Sequence, residues 1–301
     1  MAVDTGAKMH WNEHRVFAEA SDGIRIFFER TGYCHYRSSD RDYLRLIDEG
    51  YEYYSSNPLD QNAAFRNASG IPRHVVDVFR DHRSPASEIY GSRPIASLIE
   101  RLYAGNLGLM YTHAKLSFKI PGQVSDWFPH QDNGYVKPSA LRRGFAIFVC
   151  LEDMDESNGC LQVFPGSHKL GTLPHERITE DKKTGDNQLR IKSLPDGYRP
   201  ISLNASKGDI IVFSSDTIHQ SFSSVKSSKR LALIAEVDEY RSLQLDDYRK
   251  PPLLAKGRYS SLDHCLMSLK SVLSPYAIWR LLKRNHRIVS AVRKLRYGTA
   301  R

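Results

Sequence analysis

The sequence predicts a mainly β protein with flanking helices, its strands forming a small antiparallel barrel or jelly roll. Three observations carry this expectation. From about residue 110 onward, eight short apolar runs of strand length are separated by Gly, Pro and Ser. Before residue 105 the apolar residues recur at helical spacing instead. Aromatic residues make up 10% of the chain, enough to fill the inside of a barrel.

Residues 12–32 carry Phe17, Ile24, Phe27 and Phe28 at near-helical spacing and end on Gly32, which predicts a helix with a glycine stop. Residues 33–36 form a short strand candidate. Ser38, Ser39 and Asp40 can cap a second helix whose apolar residues are Tyr43, Leu44, Leu46, Ile47 and Tyr51. A third helix spans 94–103, with Ile95, Leu98, Ile99 and Leu102 on one face. These helices carry no recognisable chemistry and are expected to pack on the outside of the barrel. The strand candidates are 114–119, 128–134, 144–151, 161–164, 199–203, 209–213, 217–221 and 231–237. Residues 170–198, charged and broken by Gly and Pro, read as a long mobile loop over the barrel mouth.

At 301 residues with 41% apolar content the chain can bury a substantial core. The expected division is a single domain over 1–273, helical at 12–105 and β at 110–240, followed by a basic tail at 274–301. That tail holds eight Lys or Arg and no acid, so of the net charge of +9 only about +1 belongs to the rest of the chain. Within it, 276–296 form a helix candidate with Ile278, Leu281, Leu282, Val289, Val292 and Leu295 on one side. Docking on the barrel is the simpler reading; peripheral contact with an anionic membrane or a carrier protein is the other. The four cysteines lie far apart, which predicts reduced thiols in a cytoplasmic protein. No signal peptide is visible, and the longest apolar run, 145–151, is too short to span a bilayer. Outside the tail there is no basic stripe interleaved with aromatics, so nucleic acid is not an expected partner. The oligomeric state is not legible.

The chemistry is expected in the stretch Trp127-Phe128-Pro129-His130-Gln131-Asp132. Side chains alternate across a strand, so His130 and Asp132 converge if 128–132 are extended. An imidazole and a carboxylate leave a divalent ion one ligand short of a facial triad. A candidate third ligand is His219, which follows the turn and strand Lys207-Gly208-Asp209-Ile210-Ile211-Val212-Phe213. Arg230 comes eleven residues after it, at the start of another apolar strand. His-x-Asp alone is a weak motif, but the joint pattern is hard to ascribe to chance.

With these residues, and with Ser157-Asn158-Gly159-Cys160-Leu161 and Val163-Phe164-Pro165-Gly166-Ser167-His168-Lys169, the chain resembles the phytanoyl-CoA dioxygenase family of iron(II)/2-oxoglutarate dioxygenases. The resemblance covers about 20–238 and implies a double-stranded β-helix, the cupin-like form of a jelly roll. It implies Fe(II) held by His130, Asp132 and His219, with 2-oxoglutarate and O₂ as co-substrates and ascorbate as a candidate reductant. Arg230 matches the family's arginine for the far carboxylate of 2-oxoglutarate, and its planar fork suits that role. Ser221, Lys115 and Phe148 match other positions of that pocket. Trp127, Phe128, Asn133, Arg142 and Glu236 are weaker candidates for facing a small-molecule substrate. His168 reads as a turn or packing histidine.

The implied reaction is hydroxylation of an unactivated C–H, with succinate and CO₂ as co-products. Retention of Asp132 argues against halogenation, in which a small residue replaces the carboxylate. Desaturation, cyclisation and a carrier- or CoA-tethered substrate stay open. A nucleic-acid dealkylase is disfavoured because no second arginine closes the segment after Arg230. Intact ligands disfavour a non-catalytic binding barrel.

Overall fold

Runs such as Phe145-Ala146-Ile147-Phe148-Val149-Cys150, apolar on both faces, belong in the middle of a covered sheet, and all six residues are buried. The computed structural model describes residues 14–57, 65–66, 70–76, 78–80, 83–103, 109–136, 144–178, 188–225 and 229–239. The elements, in chain order, are β1 (Val16–Phe17), α1 (Asp22–Thr31), β2 (Tyr33–Tyr36), α2 (Arg41–Ser56), β3 (Phe65–Arg66), β4 (Pro72–Val76), α3 (Ala86–Tyr90) and α4 (Arg93–Leu102). There follow β5 (Leu109–Lys119), β6 (Trp127–His130), β7 (Phe145–Cys150), β8 (Gln162–Val163), β9 (His175–Arg177), β10 (Leu189–Ile191), β11 (Ile201–Ser202), β12 (Ile210–Ser214), β13 (His219–Ser221) and β14 (Arg230–Glu239).

The strands make a large sheet in the order β1-β2-β12-β7-β14-β5-β4-β3 and a small one in the order β11-β8-β13-β6, with β9 and β10 a separate pair. All pairings are antiparallel except β1 with β2. One face of the large sheet carries Ile210, Val212, Ile147, Val149, Leu231 and Leu233, which join Ile47, Ile89, Ile95 and Leu98 of the helices in a single apolar core. The opposite face looks at the small sheet: Phe213 lies 4.6 Å from the ring of His219. That inner space holds the polar and charged residues described below.

The helices form where the spacing predicts, with one correction. α1 begins at Asp22, not at 12, because Ser21 takes extended backbone and Phe17 is in β1, paired alongside Tyr36. The periodicity misleads because Phe17 still packs edge-on against Phe27. Asp40 caps α2 by accepting the Tyr43 N–H at 2.9 Å. α3 and the short strands β1, β3, β4, β9 and β10 are additional to those expected. Residues 170–198 are likewise not one loop, since β9 and β10 pair within them.

At the β2 edge, Asp209 accepts bonds from Arg37, His35 and the Ser206 N–H. Burial would push its carboxyl up, but these partners hold it down at about 2. Among the described residues no helix is long and apolar enough to cross a membrane. The basic tail and its helix candidate lie outside the described residues.

Gly32 ends α1 with φ +81°. Its carbonyl accepts from Ser214 N–H and Thr217 Oγ1, tying the helix end to the segment that enters β13. A Cβ there would come within 2.4 Å of His168 Nδ1 and 2.6 Å of Thr217 Oγ1. Gly32→Ala therefore combines a left-handed backbone penalty with overpacking, and chemical denaturation should register a loss of about 2–4 kcal/mol.

Candidate metal centre

β6 and β13 pair so that His130 and His219 are direct cross-strand partners. Opposed residues share one face of a sheet, and here the ring centroids are 4.2 Å apart. Each ring is held by its own strand. His130 Nδ1 lies 2.6 Å from the Phe128 carbonyl and His219 Nδ1 lies 2.9 Å from that of Thr217. With Nδ1–H donating to a carbonyl, Nε2 is left as the lone-pair atom, the state a metal ligand needs. Burial, with His219 alongside, holds the His130 imidazole down at about 3, and burial also lowers His219. Burial thus favours the neutral form of both rings.

Asp132 does not lie on the strand as expected. β6 stops at His130, and Asp132 opens the 3-10 turn Asp132–Tyr135. The convergence survives because Gln131 is still extended, with φ −120° and ψ 142°. One extended residue between two others is enough to point them the same way. The Asp132 carboxylate lies 3.7 Å from His219 Nε2. Donor atoms of His130, Asp132 and His219 all fall within 4.8 Å of one another, and no other His, Cys or acid joins the group among the described residues.

Gln131, between the ligands, points into the protein and is fully buried. Its amide donates to the Gly171 and Asp216 carbonyls, at 2.8 and 2.6 Å, and accepts the Leu173 N–H at 2.7 Å. The Gln131 N–H donates to His175 Nε2 at 3.1 Å, and His175 packs against Gly134 so closely that a Cβ there would meet its ring at 2.7 Å. The β9–β10 pair is thus docked on the ligand turn, where the sequence suggested only a mobile loop.

Across from this, the inner face of the large sheet presents Lys115, Ser117 and Lys119 of β5, Arg230, Ile234 and Glu236 of β14, and Phe148 of β7. Arg230 is 2% exposed and lies 5.7 Å above the Phe148 ring. Its Nε has no partner, and burial brings the guanidinium down to about 10. An unpartnered, buried guanidinium N–H facing an enclosed space is the feature an anionic ligand would complete. Lys115 lies 3.9 Å from Glu236, and Ser221 is buried at the end of β13. The donor set of two imidazoles and one carboxylate suits Fe(II) with open positions better than a structural zinc.

Of the substrate candidates, Trp127 lies beside His130, ring centroids 5.9 Å apart, and Phe128 is exposed. Asn133 is instead buried in the turn, its side chain donating to Asp216 Oδ1 and its N–H to the Ser215 carbonyl. Arg142 lies outside the described residues. His168 packs, as expected, with Nε2 3.1 Å from the Glu29 carbonyl. Lys119, Gln131 and His175 escaped the sequence reading. For Lys119 the signal was its even spacing from Lys115 along one strand; the other two give none.

The sequence model of the phytanoyl-CoA dioxygenase (PhyH) family matches residues 46–231. Phytanoyl-CoA dioxygenase of Arabidopsis thaliana is 34% identical over 127 residues, covering 40% of this chain and 42% of that protein. Phytanoyl-CoA dioxygenase 1 of Oryza sativa subsp. japonica is 35% identical over 123 residues, covering 40% and 41%. The matched region thus spans about two fifths of the length of these curated relatives. Among solved structures, EctD from S. alaskensis with 2-oxoglutarate and 5-hydroxyectoine superposes with TM-score 0.57 at 15% identity, over 74% of this chain and 77% of that one. The epimerase SnoN in complex with Fe3+, alpha ketoglutarate and nogalamycin RO gives 0.55 at 17%, over 72% and 83%. AviO1 from Streptomyces viridochromogenes gives 0.54 at 19%, over 78% and 99%. At such identities the likenesses show the fold, the double-stranded β-helix expected from the sequence.

Gln131 braces the ligand turn without touching a metal. Gln131→Leu fills the same space but strands the Leu173 N–H and two carbonyls. Calorimetric titration with Fe(II) under anaerobic conditions should give an affinity about 10–100-fold weaker than that of the unaltered protein.

Proposed function

Since the chain belongs to the phytanoyl-CoA dioxygenase family, we propose that it is an iron(II)- and 2-oxoglutarate-dependent oxygenase hydroxylating an unactivated C–H of a small natural product or metabolite. The observation that carries this reading is the meeting of His130, Asp132 and His219 donor atoms at one point between the two sheets. Bound together, the metal and 2-oxoglutarate would supply the activation of O₂, with succinate and CO₂ leaving as co-products.

The chain's own residues have separate tasks. His130 and His219 offer Nε2 from rings fixed by backbone carbonyls, and Asp132 adds the one anionic ligand. Arg230 grips the far carboxylate of the co-substrate, with Phe148 beneath the guanidinium. Ser221 and Lys115 line the same pocket. Phe148, Ile211, Phe213 and Ile234, on the inner face, keep water away from the reacting centre. Trp127 and Glu236 border the side open to substrate. The complexes of EctD with 5-hydroxyectoine and of SnoN with nogalamycin RO support a small-molecule substrate. The same proposal takes 1–273 as the catalytic unit of a cytoplasmic enzyme. The charge of 274–301 supports contact between that tail and an anionic membrane or carrier protein.

Anaerobic addition of Fe(II) and 2-oxoglutarate should produce a metal-to-ligand absorption band that His219→Ala abolishes. Arg230→Met should raise the 2-oxoglutarate concentration for half-saturation about 10–100-fold. A folded, unaltered protein without the band would refute the assignment. A screen for substrate-dependent succinate release would then identify what is oxidised.

A further inference from the structure

Asp132 is carried by a turn outside the strand ladders, so its place relative to His219 rests on bonds from that turn to the connection 215–218, which leads from β12 into β13. Two of these bonds end on main-chain acceptors. The Asn133 N–H donates to the Ser215 carbonyl at 3.1 Å, and the Gln131 amide donates to the Asp216 carbonyl at 2.6 Å. The third joins side chains: Asp216 Oδ1 accepts from Asn133 Nδ2 at 2.9 Å. A carboxylate oxygen can take two donors at once, and the same Oδ1 accepts from Thr172 Oγ1 at 2.7 Å, which brings in the segment before β9. Asn133 is 1% exposed, so water does not readily replace an acceptor removed from its amide. A carboxylate three residues before His219 thus holds the side chain one residue after Asp132.

We propose that Asp216 is a positioning residue: it fixes the Asp132 turn against the approach to His219 and so sets the separation of these two ligands, 3.7 Å between Asp132 Oδ1 and His219 Nε2. This rests on the metal-dependent function proposed above and assigns within it a residue outside the ligand set. The ligands themselves lie on separate segments, and Asp216 is the side chain that ties one segment to the other through Asn133. Two rival roles exist. One is charge alone, an anion that raises the affinity for any cation nearby. The other is a brace whose loss lowers stability without moving the ligands.

Asp216→Asn separates these roles, because its side-chain oxygen still accepts both bonds while the charge is gone; Asp216→Ala loses both. Anaerobic calorimetric titration with Fe(II) gives the affinity, and the visible d–d bands of the Co(II)-loaded protein report the ligand geometry. For Asp216→Ala the expected result is about 10–100-fold weaker Fe(II) binding, with shifted Co(II) bands. Asp216→Asn should stay within about three-fold of the unaltered protein, its bands unmoved. Asn133→Ala removes the bond from its other end and should shift the bands as well. Adding it to Asp216→Ala should weaken Fe(II) binding by no more than a further two-fold or about that. Should Asp216→Ala not fold, Asn133→Ala decides the question, and unaltered affinity and bands there overturn the proposal. Asp216→Asn binding as weakly as Asp216→Ala identifies charge. Unchanged affinity and bands in Asp216→Ala, whatever its melting temperature, identify a brace. Either result overturns the proposal. An unaltered protein that takes up no Fe(II) overturns instead the function proposed above.

Discussion

The centre depends on one backbone pairing, that of β6 with β13. It makes His130 and His219 cross-strand neighbours drawn from positions 89 residues apart, and brings their rings to 4.2 Å. Each ring is then locked by a bond from Nδ1 to a carbonyl two residues earlier in its own strand. No further side chain is required to choose the tautomer or aim Nε2. The two sheets serve this pairing: the large one supplies a dry wall, with Phe213 against His219, and the helices cover its far side.

The large sheet separates its two faces by chemistry. Outward residues of β7, β12 and β14 share the apolar core with the helices, while the inner positions of β5 and β14 hold Lys115, Lys119, Arg230 and Glu236. Burying such groups is unfavourable unless partners are near. Their presence on the face opposite the histidines marks the enclosed space as a place for charged ligands rather than a second apolar core.

Much of this was legible in the sequence, for identifiable reasons. The helices α2 and α4 announce themselves through period and capping, and the eight longer strand candidates through turn residues. The triad was legible because an i, i+2 relation needs only Gln131 to be extended. For that reason the expectation held for position although β6 ends earlier than foreseen. The two-residue strands β1 and β3 are too short to carry a period. Docking of the β9–β10 pair depends on His175 meeting Gln131, a contact between distant segments that no local pattern encodes. Gln131 itself reads as filler, since its importance lies in three backbone partners that exist only after folding.

Asp132 stands apart from the two histidines in one respect. They belong to paired strands, whereas it sits on a 3-10 turn that no ladder includes. The three donors are therefore divided into a pair inseparable from the sheet and a carboxylate carried by a short connector that Gln131 and Asn133 brace. A change at position 132 alone would alter the anionic donor while leaving the β6–β13 pairing that holds the two imidazoles in place.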